Sequence, residues 1–324
     1  MNNILTTNAI EISATEDGTR LLRWFARHFP AVTSGEFHKL CRGGQIRINS
    51  RRVDGREILR TGDFVRIPPT IANSPKPIAS SKTSGERFSL SDLEKVRKTI
   101  ICDDSDFVAF NKPAGLAVQG GTGITKSLDK MASALFPYDT ILPVHRLDRE
   151  TSGVIIFAKN QRAAQMLSAE FQDKSASKEY LALLSGTVSP KSGLIDNFVA
   201  KGKVFGEGAE IEPHAQRAIT KYEVLGELPG VLSFVRFLPK TGRTHQLRLH
   251  SAFTLGAPIV GDELYNRQEN KDNSALRSIL STKHLFLFAH KLSFRHPTSG
   301  KMLTITAEPP SFMNNVIKFL EFKY

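Results

Sequence analysis

Cysteine and long apolar runs are scarce in this sequence. Its 324 residues include two cysteines, Cys41 and Cys102, too few for a disulfide framework and too far apart for a cysteine-based zinc site. No apolar run approaches the roughly 20 residues that a membrane-spanning helix needs. The first residues lack the basic segment followed by an apolar segment that marks a secretory signal. We therefore expect a cytoplasmic protein with reduced cysteines.

Acidic residues are also few relative to basic ones. The chain has 44 Lys and Arg against 32 Asp and Glu, which gives a formal net charge of +12. Apolar residues make up 40% of the chain, so the composition excludes wholesale disorder. The charge surplus indicates either a general aid to solubility or a phosphate-rich partner.

A polar stretch divides the chain, whose length fits about two domains. Residues 69–87 are rich in Pro, Ser, Ala and Lys and follow neither apolar period, which is typical of an interdomain linker. We predict a small N-terminal unit over residues 1–72, a linker over 73–90 and a larger unit over 91–324. The small unit holds 11 basic and 7 acidic residues, a third of the net charge.

The N-terminal unit has patterns for two helices and two strands. Apolar residues over 19–30 recur at helical spacing, with Arg20, Arg23 and Arg27 on the opposite side. A second helix is predicted to begin after Thr33 or Ser34 and to end at a Gly-Gly pair. Residues 45–53 alternate apolar and polar, which predicts one half-buried strand, and residues 63–68 predict another.

Together these features resemble an S4 RNA-binding domain over residues 12–68, although Leu22 stands where that family often has Asp. The resemblance implies that the second helix and the following strand bind RNA. The chemistry is independent of the resemblance, because clustered Lys and Arg neutralise phosphates; a merely solvated surface is the alternative. The residues implied are Lys39, Arg42, Arg47, Arg51 and Arg52.

In the larger unit, the strongest signal is the segment PVHRLDRETSGVIIFAKN, residues 143–160. The apolar run 154–157 predicts a buried strand, so Asp148 lies on the loop that leads into it, where scaffold-held catalytic residues often lie. A kinase is disfavoured because the other kinase elements are missing. The glycine-rich stretch before Ser127 is not a P-loop, because Thr125 replaces the glycine that must precede the lysine.

Three further motifs follow in order: Lys-x-Tyr-x-Ala at residues 178–182, Gly-Arg-Thr-His-Gln-Leu-Arg-x-His at 242–250, and a predicted hairpin over 284–310. With the first motif they resemble the RluA-type pseudouridine synthases over about residues 90–310. The resemblance implies an α+β fold, with a mixed, mostly antiparallel sheet flanked by helices and an active cleft across its middle. With an S4 domain ahead, it is similar to the ribosomal large-subunit members, which implies 23S ribosomal RNA as the partner.

The resemblance also implies the roles of five residues. Asp148 would attack C1′ of the ribose or remove its C2′ proton, and Arg243 would hold that carboxylate in a salt bridge. Tyr180 would stack on a flipped uracil and take part in proton removal at C5. Arg146 would contact phosphate or help to flip the base, and His145 would contact the RNA backbone or form a structural hydrogen bond.

The same resemblance implies an isomerase that needs no metal, no nucleotide and no other cofactor, since pseudouridine formation oxidises nothing and imports no group. His245 and His250 are accordingly not interpreted as zinc ligands. We expect a monomer without a membrane partner. Two alternatives stay open: a synthase that acts on tRNA or another RNA, and a non-catalytic ribosome-assembly factor that binds RNA.

Overall fold

The computed structural model describes residues 9–13, 16–29, 32–72, 88–121, 124–200, 202–206, 212–266 and 284–324. Most of the predicted linker, residues 73–87, lies outside this described part, as do residues 122 and 123 of the glycine-rich stretch. Within the described ranges, no helix has the length and apolar character to cross a membrane.

The chain up to residue 72 forms a small sheet with its own hydrophobic core. Its strands pair antiparallel in the order Ala9–Glu11, Phe64–Arg66, Arg47–Ile48 and Arg51–Arg52. Trp24, Phe25 and Phe37 fill the core and are each 1% exposed. The elements are β1 (Ala9–Glu11), α1 (Leu21–His28), α2 (Ser34–Arg42), β2 (Arg47–Ile48), β3 (Arg51–Arg52), β4 (Phe64–Arg66) and α3 (Pro69–Ala72).

Helix α2 begins and ends where its sequence predicts. The Thr33 hydroxyl accepts from the Glu36 backbone N–H, and the Glu36 carboxylate accepts from the Thr33 backbone N–H, which completes a capping box. The helix ends at Gly43, and Gly44 follows in the left-handed region with φ +66°.

The single strand predicted over residues 45–53 is wrong. Asn49 and Ser50 both have positive φ, 48° and 67°, so the chain reverses there and β2 pairs with β3 as a tight hairpin. The Asn49 side chain stabilises the turn, because its Oδ1 accepts from Phe64 N at 2.8 Å and its Nδ2 donates to Asp63 at 2.7 Å.

The rest of the described chain is built around one large sheet. Its strands are β5 (Ile100–Asp103), β6 (Phe107–Lys112), β7 (Leu142–Pro143), β8 (Ser152–Ala158), β9 (Ser177–Ser185), β10 (Ser192–Ala200), β11 (Lys203–Phe205), β12 (Gln216–Leu228), β13 (Leu232–Pro239), β14 (Leu287–Arg295) and β15 (Met302–Thr306). The helices are α4 (Leu90–Arg97), α5 (Leu128–Leu135), α6 (Gln161–Gln172), α7 (Gln246–Leu249) and α8 (Ser311–Phe319), and a π-helical turn, His250–Thr254, continues α7.

The strands follow the order β11-β10-β12-β13-β9-β14-β8-β6-β5, with β15 paired to β14 and β7 paired to β8. Of the described strand pairs, β8 with β14 is parallel and the others are antiparallel. This arrangement confirms the predicted α+β fold with a mixed, mostly antiparallel sheet, and β14–β15 confirms the predicted hairpin. Strand β9 lies in the middle of the order.

Helices cover both faces of the sheet, which explains the apolar run in β8. Ile156 packs in a core with α6 and α8, while Ile155 packs in a second core with α4 and α5. Every residue of β8 is therefore buried, as the run predicted. Asn160 caps α6 by accepting from Ala163 N at 2.8 Å.

Two arginines join the N-terminal unit to the larger one: Arg162 pairs with Asp17 at 3.8 Å, and Arg23 makes the closer contacts. Arg23 of α1 donates to the backbone oxygens of Tyr138, at 2.9 Å, and Lys159, at 2.5 Å, and to the hydroxyl of Thr140. This contact lies at the C-terminal end of β8, whereas the loop that carries Asp148 leads into its N-terminal end.

Candidate active site

A cavity of about 530 Å³ opens beside β9, the middle strand of the large sheet. Its walls are the loop before β8, the C-terminal part of α6, strand β9, and the loop between β13 and α7. We call this space the active-site cavity. It brings together the five residues predicted in the larger unit: His145, Arg146, Asp148, Tyr180 and Arg243.

The lining of the active-site cavity is strongly cationic. Among its described lining residues, Asp148 is the one carboxylate. Charges of one sign in a cleft attract a polyanion and also favour the ionised form of a carboxylate placed among them. The lining lysines and arginines are Arg146, Lys174, Lys178, Lys240, Arg243 and Arg248.

A buried lysine fixes the loop that carries Asp148. Lys112 ends β6 and is 0% exposed, and its Nζ donates to Arg149 O and Leu116 O at 2.8 Å and to Pro113 O at 3.0 Å. Burial lowers the pKa of Lys112 to about 7. Because Arg149 directly follows Asp148, this ammonium holds the backbone next to the carboxylate.

A glycine lets β8 approach β14 directly after this loop. Gly153 has φ +114°, and a Cβ there would lie 2.2 Å from the Ala289 backbone oxygen. Thr151 N donates to Asp148 O at 3.2 Å and closes the turn between them. The Thr-Ser-Gly part of the motif therefore shapes the loop.

Arg243 and Asp148 line the same cavity but form no ion pair within 4.0 Å. The Arg243 Nε donates to Arg217 O at 3.2 Å, and its backbone N–H donates to the side chain of Gln246 at 3.0 Å. The side chain that comes within 4.0 Å of the Asp148 carboxylate is instead that of His245, whose Nε2 lies 3.9 Å from Oδ2. Burial lowers the pKa of His245, and the Asp148 carboxylate acts against that shift.

Arg248 is the buried arginine of the cavity. Its Nε and Nη2 donate to both carboxylate oxygens of Asp262, at 2.8 and 2.7 Å, and its guanidinium lies 5.0 Å from the centre of the Tyr265 ring. Tyr265 in turn hydrogen-bonds to His245 Nδ1 at 2.7 Å. Asp148 also interacts electrostatically with the Arg248 guanidinium.

Sequence reasoning singled out Arg243 and missed Arg248. Both are in the Gly-Arg-Thr-His-Gln-Leu-Arg-x-His motif, so a signal was present. The two arginines differ in position because His245, with φ +54°, lies between them and directly precedes the short helix α7. Arg248 is in this helix and turns inward towards Asp262. Asp262 is fourteen residues further on and belongs to no local pattern.

A network of hydrogen bonds between uncharged side chains supports this wall of the cavity. Thr220 Oγ1 accepts from Gln246 Nε2 at 2.9 Å and lies 3.0 Å from His250 Nδ1, and His250 Nε2 lies 3.0 Å from Asn197 Oδ1. Gln246 Oε1 meanwhile accepts from Thr241 at 2.7 Å and from Arg243 N. Burial lowers the pKa of His250 to about 4, so this histidine is neutral.

Tyr180 and His145 occupy the inner part of the cavity. Burial and the charge of Asp148 both raise the pKa of the Tyr180 phenol, which is therefore neutral. His145 stacks on Phe171 with ring centres 4.4 Å apart, and its Nε2 accepts from Ile156 N at 3.1 Å. Burial lowers the pKa of His145 to about 3, so it forms the structural hydrogen bond that was the alternative to RNA contact.

The basic residues predicted to bind RNA in the N-terminal unit are mostly exposed. Lys39, Arg42, Arg51 and Arg52 are solvent-exposed, and no described carboxylate lies within 4.0 Å of them. Arg47 differs, because its guanidinium donates to Gly44 O and Ser50 O within the hairpin.

Among the described residues, one group of three could present ligands to a metal: Asp104, Asp106 and His296, outside the cavity lining. These side chains already bond to one another and to the turn after β14. His296 Nδ1 accepts from two backbone N–H groups, and the Asp106 carboxylate accepts from Thr298 at 2.5 Å. We assign them to the structure of that turn.

Comparison with known proteins places the chain in a family. Residues 106–253 match the family described as RNA pseudouridylate synthase. The chain belongs to this family and is an isomerase that converts uridine in RNA to pseudouridine.

The names of individual relatives are more specific than the description of the family. The ribosomal large subunit pseudouridine synthase C of Salmonella typhimurium is 31% identical over 315 residues, covering 95% of this chain and 94% of the relative. The protein of the same name from Escherichia coli is 31% identical, with 92% of each chain covered. The solved structure of human RNA pseudouridylate synthase domain containing 4 matches with TM-score 0.61 and 26% identity, over 72% of this chain and 97% of that one.

Proposed function

We propose that this pseudouridine synthase modifies uridines of large-subunit (23S) ribosomal RNA, and that Asp148 is the carboxylate that reacts at the glycosidic centre. The observation that carries the role of Asp148 is that it is the one carboxylate among the described residues of a cationic cavity. The ribosomal substrate is supported by the names of relatives that align along nearly the whole chain.

The reaction needs a carboxylate and no added water. The N1–C1′ bond of the uridine breaks, the uracil turns, and C5 bonds to C1′ while the C5 proton is lost and N1 gains one. Asp148 would either bond to C1′ or remove the C2′ proton. Both routes require the ionised carboxylate, and the Arg248 guanidinium interacts electrostatically with it.

The arginines of the cavity divide between two tasks in this proposal. Arg248, fixed by Asp262, keeps a constant charge facing Asp148. Arg243 would contact a substrate phosphate, since it has no carboxylate partner among the described residues. Arg146 is exposed at the same cavity and would contact the phosphates of the flipped nucleotide.

Tyr180 would act as a neutral phenol. Its raised pKa makes the phenolate scarce at neutral pH, so the ring is suited to stacking on the uracil. Any part it takes in proton removal at C5 would then use the hydroxyl oxygen as a hydrogen-bond acceptor and not a phenolate as base.

We further propose that residues 1–72, with a core over 12–68, are an S4 domain that docks on RNA through Lys39, Arg42, Arg51 and Arg52. Each phosphate contact adds roughly 0.7 to 0.9 to the slope of log affinity against log salt. Arg51→Gln with Arg52→Gln should therefore lower the slope by about 1.5, while Lys318→Gln, on α8 and exposed, should leave it unchanged. An unaltered slope in the double variant would contradict the docking role.

The substrate is tested by mapping pseudouridines in total RNA from cells with and without the gene, by carbodiimide treatment and primer extension. Loss of sites in large-subunit ribosomal RNA supports the proposal. Loss of tRNA sites alone would favour the tRNA alternative. Unchanged sites throughout would contradict both substrates.

A further inference from the structure

We propose that Lys178 is a further catalytic residue, one whose ammonium group contacts a carbonyl oxygen of the flipped uracil and stabilises the negative charge that develops on the ring. This inference rests on the proposed site around Asp148, but not on which RNA is modified. Lys178 has no role in the account of the cavity given so far.

The strand places Lys178 on the same side as Tyr180. Both belong to β9, two residues apart, and side chains at that spacing share one face of a strand. Both line the active-site cavity. The Lys178 Nζ reaches across to the opposite loop, where it lies 3.7 Å from the position of a Cβ built on Gly242. A base stacked on Tyr180 would therefore meet this amine.

No acidic side chain neutralises Lys178 in the described part of the chain. The adjacent Glu179 points to the other face of the sheet, where it pairs with Arg236 at 3.6 Å and Lys291 at 3.4 Å. Asp148, the acidic residue of the cavity lining, is more than 4.0 Å from the Lys178 amine. A partly buried cation without a counter-ion is costly to the fold, so its presence in the cavity points to an anionic ligand there.

The chemistry supplies such a ligand on the base. When the N1–C1′ bond breaks, its electron pair stays on the uracil, and the negative charge spreads to O2 and O4. This holds whether Asp148 bonds to C1′ or removes the C2′ proton. A fixed cation next to one of these oxygens interacts more strongly with the transition state than with neutral uridine, which is how a charge-stabilising group accelerates a reaction.

Exposure distinguishes Lys178 from three of the other cations of the cavity. Arg146, Lys174 and Lys240 are solvent-exposed, as side chains that meet the RNA backbone at a cavity mouth would be, whereas Lys178 is partly buried beside Tyr180. Burial also lowers the pKa of the Lys178 amine, which agrees with its interior position. We therefore assign Lys178 to the base and the exposed cations to phosphates.

The test compares Lys178→Met, Lys178→Arg and the control Lys318→Met, a change on α8 away from the cavity lining. Total RNA from cells lacking the gene, tritiated at uridine C5, serves as the probe. We expect Lys178→Met to release tritium roughly 100-fold more slowly in single turnover, since loss of one charge-stabilising donor costs about 10²–10³ in rate. Its RNA affinity and melting temperature should match those of the control, and Lys178→Arg should recover part of the rate.

Two results would overturn the assignment. An unchanged single-turnover rate with weaker RNA binding and a lower salt slope would make Lys178 a phosphate contact. An unchanged rate with unchanged binding would remove it from the reaction altogether. An Asp148→Asn variant in the same assay keeps the two proposals apart, because full activity of that variant would count against the role of Asp148 while the Lys178 comparison still stands.

Discussion

The pair between Arg248 and Asp262 offers a sharp quantitative prediction, because the chain contains a second pair of the same geometry in a different environment. Asp262 accepts hydrogen bonds from Nε and Nη2 of Arg248 at 2.7–2.8 Å. The Asp262 side chain is 0% exposed and the Arg248 side chain 9%. Asp196 accepts hydrogen bonds from Nε and Nη2 of Arg217 at 2.6–2.8 Å. Here, however, the Asp196 side chain is 34% exposed and the Arg217 side chain 60%. The comparison isolates burial from geometry.

Asp262→Asn should destabilise the fold by about 3 kcal/mol. Breaking a buried pair from one side costs about 3–5 kcal/mol, since the remaining charge is left unpaired, and the lower end applies because Arg248 borders the cavity and also interacts with Asp148. The matched change Asp196→Asn should have a much smaller effect, since solvent screens its pair. Urea unfolding of the two variants measures the difference.

The same substitution should also slow catalysis. Arg248 would lose the anchor that holds it facing Asp148, so the single-turnover rate of Asp262→Asn should fall while RNA affinity changes less. Equal unfolding free energies for Asp262→Asn and Asp196→Asn would refute the argument from burial. A normal rate in Asp262→Asn would refute the positioning of Arg248.

Two further predictions concern the fold around the cavity. Burial lowers the pKa of His250 to about 4, against 6.5 in the unfolded chain, so acid protonates the unfolded state first. As the pH falls from 6.5 to 4, the protein should therefore lose roughly 3 kcal/mol of stability through this residue. His250→Gln should abolish this part of the pH dependence, measured by urea unfolding at about pH 7 and about pH 4.5. Gly153→Ala should prevent folding or lower the melting temperature strongly, because its Cβ would meet the Ala289 backbone. Gly186→Ala, with φ +104° but open space, should cost only about 1–2 kcal/mol, and equal losses would contradict the steric reason.

Local patterns predicted the elements whose ends are set by nearby residues. Thr33 caps α2 and Asn160 caps α6, so both helices were predictable from a few neighbouring side chains. The buried strand β8 was predictable from its unbroken apolar run. The hairpin at Asn49 was missed because its stabilising partners, Asp63 and Phe64, are far along the sequence.

The chemistry of the site was predictable only in part. The motifs identified the residues that meet at the cavity, including Asp148 and Tyr180. They could not show which arginine is buried next to Asp148, because that depends on the left-handed turn at His245 and on Asp262, which a local pattern does not connect. The unpartnered state of Lys178 is likewise a property of the folded sheet, in which Glu179 points the other way.

The central claim is that Asp148 carries the reaction while the cationic surfaces bind the RNA. Its most direct test is Asp148→Asn, which keeps the size of the side chain and removes its charge, assayed for tritium release from RNA labelled at uridine C5 and for RNA affinity. We predict that tritium release falls below detection while the affinity for RNA stays within a few-fold of that of the unaltered protein. Release at the normal rate from Asp148→Asn would contradict the account.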